Sequence, residues 1–293
     1  MGLIEKAARA GVLDAQEGDP ASATARPNST AFDVDFSALE ANGFYSRTVR
    51  ANALSLELRA IKRRLLRRLG FMQRKADKRV FQQAGRARNT VLVTSTRPAE
   101  GKTFTAINLA LSLACEEEID ILLVDADTPR PKVRAHFGLP QAPGLTDAIE
   151  SDGRKGDLFA ATNLPLSILG EGAPVARADD FFASSQAQRF FTGLSAARSD
   201  RLILIDAPPV LATTETSVLA RHVDEVVFVI EADATPEPAV AAALDELLDA
   251  NPNVSLVLNR CLFAGGGSHY GSYHRYETVR TDDAARGAGE GDA

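Results

Sequence analysis

Val91-Leu92-Val93-Thr94-Ser95-Thr96-Arg97-Pro98-Ala99-Glu100-Gly101-Lys102-Thr103 reads as an apolar strand, a tight loop, and the lead into a helix expected over Phe104 to Cys115. In a phosphate-binding loop the backbone N–H groups and the helix N-terminus cradle phosphates. A lysine reaches the β and γ groups, and a threonine hydroxyl holds Mg²⁺. The strand before and the helix after are the context that this chemistry needs. Thr96 stands where the usual GxxxxGK[ST] pattern has its first glycine.

Working outward, apolar runs at Val91 to Thr94, Ile121 to Val124, Leu166 to Leu169, Leu202 to Ile205, Val226 to Ile230 and Val254 to Leu258 alternate with helical patterns. Continuous apolar strands separated by helices predict an α/β fold, with a mainly parallel sheet covered on both faces. Two of these strands end in acids. Ile121-Leu122-Leu123-Val124-Asp125-Ala126-Asp127 carries carboxylates two residues apart, which strand alternation places on one side. Leu202-Ile203-Leu204-Ile205-Asp206 ends in the acid expected to position Mg²⁺, directly or through a water. Strand ends of a parallel sheet share one edge, so Lys102, Asp125, Asp127 and Asp206 are expected to converge there.

The 293 residues are 45% hydrophobic and 25% charged, an ordinary globular composition that excludes collagenous, mucin-like and wholly disordered proteins. The net charge of -6 gives no reason to expect nucleic acid as partner. The charge is nevertheless uneven. Leu54, Leu58, Ile61, Leu65 and Leu69 form one apolar helix face, and twelve Lys or Arg fall between Arg59 and Arg88 against the single acid Asp77. Such a run is either a solvated helix face or a dock for something acidic, a partner protein or anionic lipid. The expected organisation is a flexible segment over 1–50, a basic amphipathic helical arm over 51–88, the phosphate-loop domain over 89–262 and a flexible tail over 263–293. No apolar run nears the length of a membrane span, and no secretory signal is read in the first residues, so a cytoplasmic location is expected. Cys115 and Cys261 lack metal or disulfide spacing and read as buried small apolar residues. His136 and His222 read as surface or hydrogen-bonded core residues, so no transition metal is assigned.

The phosphate loop, the Asp-x-Asp-x-x-Arg-Pro segment (Asp125 to Pro131) and the Asp-x-Pro-Pro segment (Asp206 to Pro209) together resemble the bacterial tyrosine kinases. Gly144-Leu145-Thr146-Asp147, Thr213-Thr214-Glu215 and Val257-Leu258-Asn259-Arg260 extend the resemblance over roughly 54–277. It is strongest to the tyrosine autokinases of exopolysaccharide loci in Gram-negative bacteria, including those of the PEP-CTERM/exosortase type. That family uses P-loop ATPase machinery.

The resemblance implies ATP-dependent phosphorylation of tyrosines, with ATP and Mg²⁺ as cofactors. It implies an ATP site of Pro98, Ala99, Glu100, Gly101, Lys102, Thr103, Phe104 and Asn259, the last at an adenine-contacting position. Mg²⁺ falls to Thr103, Asp125 and Asp206, and catalysis to Lys102, Asp125, Asp127 and Asp206, with Asp125 or Asp127 activating the tyrosine hydroxyl. Three of the four tyrosines, Tyr270, Tyr273 and Tyr276, follow a glycine triplet at 265–267. Exposed tyrosines clustered in a polar tail need a reason beyond packing, and in this family such a cluster is phosphorylated by a neighbouring subunit. The implied partners are a chain-length-determinant membrane protein as activator and other copies of the chain. Association with the inner membrane would then run through that partner.

Three departures bear on this reading. Arg97 stands where the ParA/MinD-type ATPases carry their signature lysine. The family's Glu-x-x-Arg-x-x-Arg/Lys oligomerisation motif is partial, with Arg59 and Lys62 in place but Leu56 at the glutamate position beside Glu57. Pro129 replaces a common arginine, while Arg130 remains. A ParA/MinD-like switch ATPase would hydrolyse ATP without making phosphotyrosine. A regulatory module that has lost transfer would bind ATP and make neither product.

Overall fold

Each of the six apolar runs is a strand, because a run apolar on both sides must be covered on both faces. A computed structural model describes residues 32–45, 53–71, 88–115, 119–153, 158–198 and 200–261. Parallel strands β1 (Thr90–Ser95), β2 (Asp120–Asp125), β4 (Leu166–Leu169), β5 (Arg201–Asp206), β6 (Glu225–Glu231) and β7 (Val254–Asn259) are joined by a short antiparallel edge strand, β3 (Ala160–Ala161). The order is β3-β4-β2-β5-β1-β6-β7. The phosphate-loop strand β1 therefore lies between β5 and β6, and β5 lies between β1 and β2.

Alternate strand residues feed two cores. Val91, Val93, Ile121, Leu123, Leu202 and Leu204 enter the first, against α1 (Phe36–Ala41), α2 (Ala53–Arg68) and α3 (Lys102–Leu113). Leu92, Leu122, Val124, Ile203, Ile205 and Phe228 enter the second. That face is covered by α5 (Leu145–Glu150), α6 (Ala178–Ala183), α7 (Ser185–Ala197), α8 (Glu215–Ala220) and α9 (Glu237–Ala250). A short α4 (Val133–His136) follows β2. As the edge strand, β7 is less covered than its run suggests, with Leu256 and Leu258 exposed.

The basic arm is only partly a solvated face. Leu58, Leu65, Leu66 and Leu69 are buried in the first core, and α2 packs on α3. Lys62 is buried as well, its Nζ donating to Ser112 O at 3.2 Å, and Arg68 Nε pairs with the buried Glu225 at 2.6 Å. Arg59, Arg63, Arg64 and Arg67 remain exposed. Leu69→Ala is expected to cost about 3 kcal/mol in urea unfolding, as for a fully buried leucine. A loss below about 0.5 kcal/mol, typical of surface changes, would show that α2 is dispensable to the core.

Residues 32–45 fall in the stretch expected to be flexible, but they pack. Asp35 Oδ1 caps α1 by accepting from Ser37 N and Ala38 N at 3.0 Å, and Val34, Leu39 and Phe44 are buried. Tyr45 N donates to Asn108 Oδ1 on α3 at 2.6 Å. Three buried apolar side chains within a polar stretch suffice because they join the first core beside α2 and α3.

The cysteine expectation is corrected. Cys115 is exposed because it lies beyond the last turn of α3, and Cys261 is half-buried because it follows the edge strand. No described helix is long and apolar enough to cross a membrane. Tyr270, Tyr273 and Tyr276, the basic residues from Arg74 to Arg86 and the first 31 residues lie outside the described residues.

Candidate functional site

The loop after β1 turns sharply at two residues. Ala99 and Gly101 take left-handed φ values of +72° and +97°, and Gly101 then leads directly into α3 at Lys102. The backbone conformation favours glycine at 101, and a Cβ there would meet Asn259 Nδ2 at 2.1 Å and displace that side chain. Thr96 is not among the positive-φ residues, which explains how it replaces the usual first glycine. The helix begins two residues before the expected Phe104 because Lys102 and Thr103 form its first turn. Their amides and side chains thus sit at the positive end of a 12-residue helix, where anions are favoured.

Asp206 stands opposite Val93 of β1 on one side and Asp125 of β2 on the other. Its Oδ2 accepts from Thr103 Oγ1 at 2.6 Å. Its Oδ1 lies 3.6 Å from Lys102 Nζ, beyond hydrogen-bond reach, and has no hydrogen-bond partner among the described residues. Lys102 Nζ donates to Asp127 Oδ2 at 2.6 Å and to Thr103 Oγ1 at 3.2 Å. Lys102, Thr103, Asp127 and Asp206 are therefore one contact group, which brings together three of the four residues expected to converge at the strand ends.

Asp125 stands differently. Strand β2 ends at Asp125, so the alternation that would align it with Asp127 stops there. Its Oδ2 accepts from Lys132 N and Val133 N at 2.9 Å, and its Oδ1 from Asp127 N at 3.2 Å. Both oxygens hold the connection to α4. Burial and the neighbouring Asp206 charge push its carboxyl well above the usual range. Burial also raises Asp206, against the pull of Lys102 and the Thr103 hydrogen bond. Burial lowers the Lys102 ammonium, but Asp206, Asp127 and Asp125 more than offset it, and the net shift is upward.

Of the other residues named from the sequence, Pro98 and Ala99 are exposed on the loop and Glu100 is buried beneath them. Phe104 turns its ring to Phe44, 5.1 Å away, so only its backbone belongs to the loop. Asn259 ends β7 and donates from Nδ2 to Glu100 O at 2.9 Å. His222 hydrogen-bonds Phe182 O and stacks on Phe191, as a core histidine does.

Two further groups escaped the sequence reading. The buried Arg134 donates to the carbonyls of Pro140, Ala142 and Pro143 and lies 3.5 Å from Glu171, shaping the loop over α4. Glu215 opens α8, and its carboxyl is raised by burial, then by the charge of Asp127. Arg134 follows Asp125 by nine residues and carries no motif. Glu215 was visible only as part of a resembling segment.

No protein-family model matches the chain. It is 30% identical over 168 residues to the tyrosine-protein kinase YwqD of Bacillus subtilis, covering 57% of this chain and 70% of that one. It is 26% identical over 194 residues to the tyrosine-protein kinase Wzc of Salmonella typhimurium, but spans only 26% of that longer protein. The crystal structure of the VpsO kinase domain superposes with a TM-score of 0.55 at 31% identity, over 60% of this chain and 86% of that domain. Those two coverages take in the bulk of a whole kinase and of a kinase domain, at an identity beyond a shared fold alone, and so the chain belongs to the bacterial tyrosine-kinase family.

Proposed function

We propose that the chain is an ATP-dependent protein-tyrosine kinase that phosphorylates Tyr270, Tyr273 and Tyr276 of a neighbouring copy. The observation that carries this reading is the 2.6 Å contact of Lys102 Nζ with Asp127, which puts a carboxylate beside the phosphate-binding ammonium. Gly101, Lys102 and Thr103 would receive the phosphates on the amides of the first helical turn. Three carboxylates around one ammonium leave excess negative charge, and the orphaned Asp206 Oδ1 beside the Thr103 hydroxyl fits a hard divalent cation. Thr103 and Asp206 would hold Mg²⁺, which supplies charge neutralisation at the β and γ oxygens.

Phosphate oxygens entering the loop compete for the Lys102 ammonium and draw it from Asp127. The freed carboxylate then accepts the proton of the tyrosine hydroxyl as the phenolic oxygen bonds to the γ-phosphorus and the bond to ADP breaks. Lys102 thereby links phosphate binding to release of the base. Asp125, with both oxygens on backbone N–H groups, holds the segment that carries Asp127.

The process served is exopolysaccharide polymerisation or export, with a chain-length-determinant membrane protein as activator at the inner membrane. The exposed Arg59, Arg63, Arg64 and Arg67 offer an acidic partner or anionic lipid a docking face.

Incubation with Mg²⁺-ATP, followed by intact mass and peptide mapping, tests the reading. Phosphate is expected on the tail of the wild type and absent from the Tyr270→Phe/Tyr273→Phe/Tyr276→Phe variant. Wild-type phosphate levels in that variant would refute the tail as acceptor. ADP release with no phosphotyrosine, unchanged by the membrane activator, would replace the kinase by a switch ATPase.

A further inference from the structure

A loop built to hold phosphates carries a buried carboxylate. Glu100 is 3% exposed, no Lys or Arg side chain pairs with it among the described residues, and its charge opposes the anion that the loop receives. Its three acceptor atoms are all engaged. Oε2 accepts from Arg97 N within the loop at 3.0 Å, and Oε1 accepts from Thr235 Oγ1 at 2.6 Å. Its main-chain oxygen accepts from Asn259 Nδ2 at 2.9 Å. Thr235 lies between β6 and α9, and Asn259 ends β7, so one residue fastens the loop to two separate pieces of the sheet's edge. Those two pieces are themselves joined, since Ala232 N donates to Asn259 O at 2.9 Å and Thr235 N to Glu231 O at 3.2 Å.

The residues on either side of Glu100 are the two with left-handed backbone, Ala99 and Gly101. An alanine at φ +72° adopts that conformation rarely and persists in it only where its surroundings hold it. Glu100 is what holds it: the carboxylate draws the Arg97 amide inward on one side, and the Asn259 amide draws the Glu100 carbonyl inward on the other.

We propose that Glu100 is a positioning residue, a latch that sets the phosphate loop's shape from the Thr235–Asn259 wall, so that Thr235 governs phosphate affinity from outside the loop. This rests on the reading of the loop as an ATP site. A residue that merely lined a pocket for the base would affect ATP and leave a ligand of phosphates alone untouched. The latch makes the opposite demand: loss of the Thr235 hydroxyl must weaken both.

The test is displacement of a fluorescent ATP analogue by ATP and by tripolyphosphate, with the melting temperature of each unliganded protein measured in parallel. Thr235→Val is expected to weaken competition by both ligands about tenfold, the loss of one charge-assisted buried hydrogen bond. Thr235→Ser, which keeps the hydroxyl, restores both. Glu100→Ala weakens both at least as much, and adding Thr235→Val to it brings no further loss, because the two residues act through one bond. Tripolyphosphate competing no better against wild type than against Thr235→Val overturns the latch, as do losses that add in the double variant. A lowered melting temperature with unchanged phosphate competition assigns Thr235 a structural role only and likewise overturns it. Failure of the wild type to take up the fluorescent analogue overturns the ATP-site reading itself.

Discussion

Lys102→Met is expected to abolish tail phosphorylation, lowering the rate at least about 10³-fold, the scale on which one preorganised charge at a reacting phosphoryl group acts. Two losses combine. The β and γ oxygens lose their ammonium partner, and the carboxylates of Asp206, Asp127 and Asp125 are left with no cation among them. Breaking a buried pair by removing one partner ordinarily destabilises by about 3–5 kcal/mol. Here the protein has a way out. Burial already raises Asp206, and the Lys102 charge is the largest influence holding it down. Without that charge Asp206 is pushed further toward its protonated form, which relieves the uncompensated anion. The variant should therefore fold, with a native circular dichroism spectrum, while the Mg²⁺ site proposed at Thr103 and Asp206 would be weakened by protonation of the carboxyl. Intact mass after incubation with Mg²⁺-ATP reads the outcome, and phosphate incorporation within tenfold of wild type would remove Lys102 from the chemistry.

The parts of the site that were legible in the sequence are those in which function and local backbone coincide. Gly101-Lys102-Thr103 must open a helix after a strand, and Asp206 must end an apolar run, so both announce themselves within a dozen residues. The sheet was legible for the same reason, because an apolar run of four or five residues flanked by helical patterns has few other uses. What escaped reading depends on residues far apart in the chain. Glu100 and Thr235 are separated by 135 positions, and no local pattern distinguishes Thr235 from any helix-entry threonine. Lys62, counted in a basic run read as a solvated face or a dock for something acidic, turns inward to the Ser112 carbonyl at the end of α3. Thr96 looked like a defect in the motif until the backbone placed the left-handed residues at 99 and 101 instead. The different bonding of Asp125 and Asp127 was also hidden, since strand alternation treats them alike and only the end of β2 separates them.

That separation yields the second large effect. Asp127→Asn preserves size and still offers Lys102 an oxygen, but it cannot take the tyrosine proton, so kcat should fall about 10²- to 10⁴-fold, the usual contribution of a positioned base. The KM for ATP should hold or drop, because the ammonium is no longer detained by a carboxylate before phosphates arrive. Asp125→Asn faces a different problem. Three backbone donors, the amides of Asp127, Lys132 and Val133, converge on its two oxygens. An asparagine has one oxygen, so whichever way its amide turns, an NH₂ group confronts at least one N–H, and a buried donor goes unsatisfied. That costs about 1–3 kcal/mol. Asp125→Asn should therefore unfold at lower denaturant than wild type while keeping turnover per folded molecule within about tenfold. Asp127→Asn should show the converse, with stability near wild type and turnover nearly gone. Steady-state kinetics beside urea unfolding separates the two, and the reversed pattern, activity lost at 125 and retained at 127, would make Asp125 the base and Asp127 the anchor of Lys102.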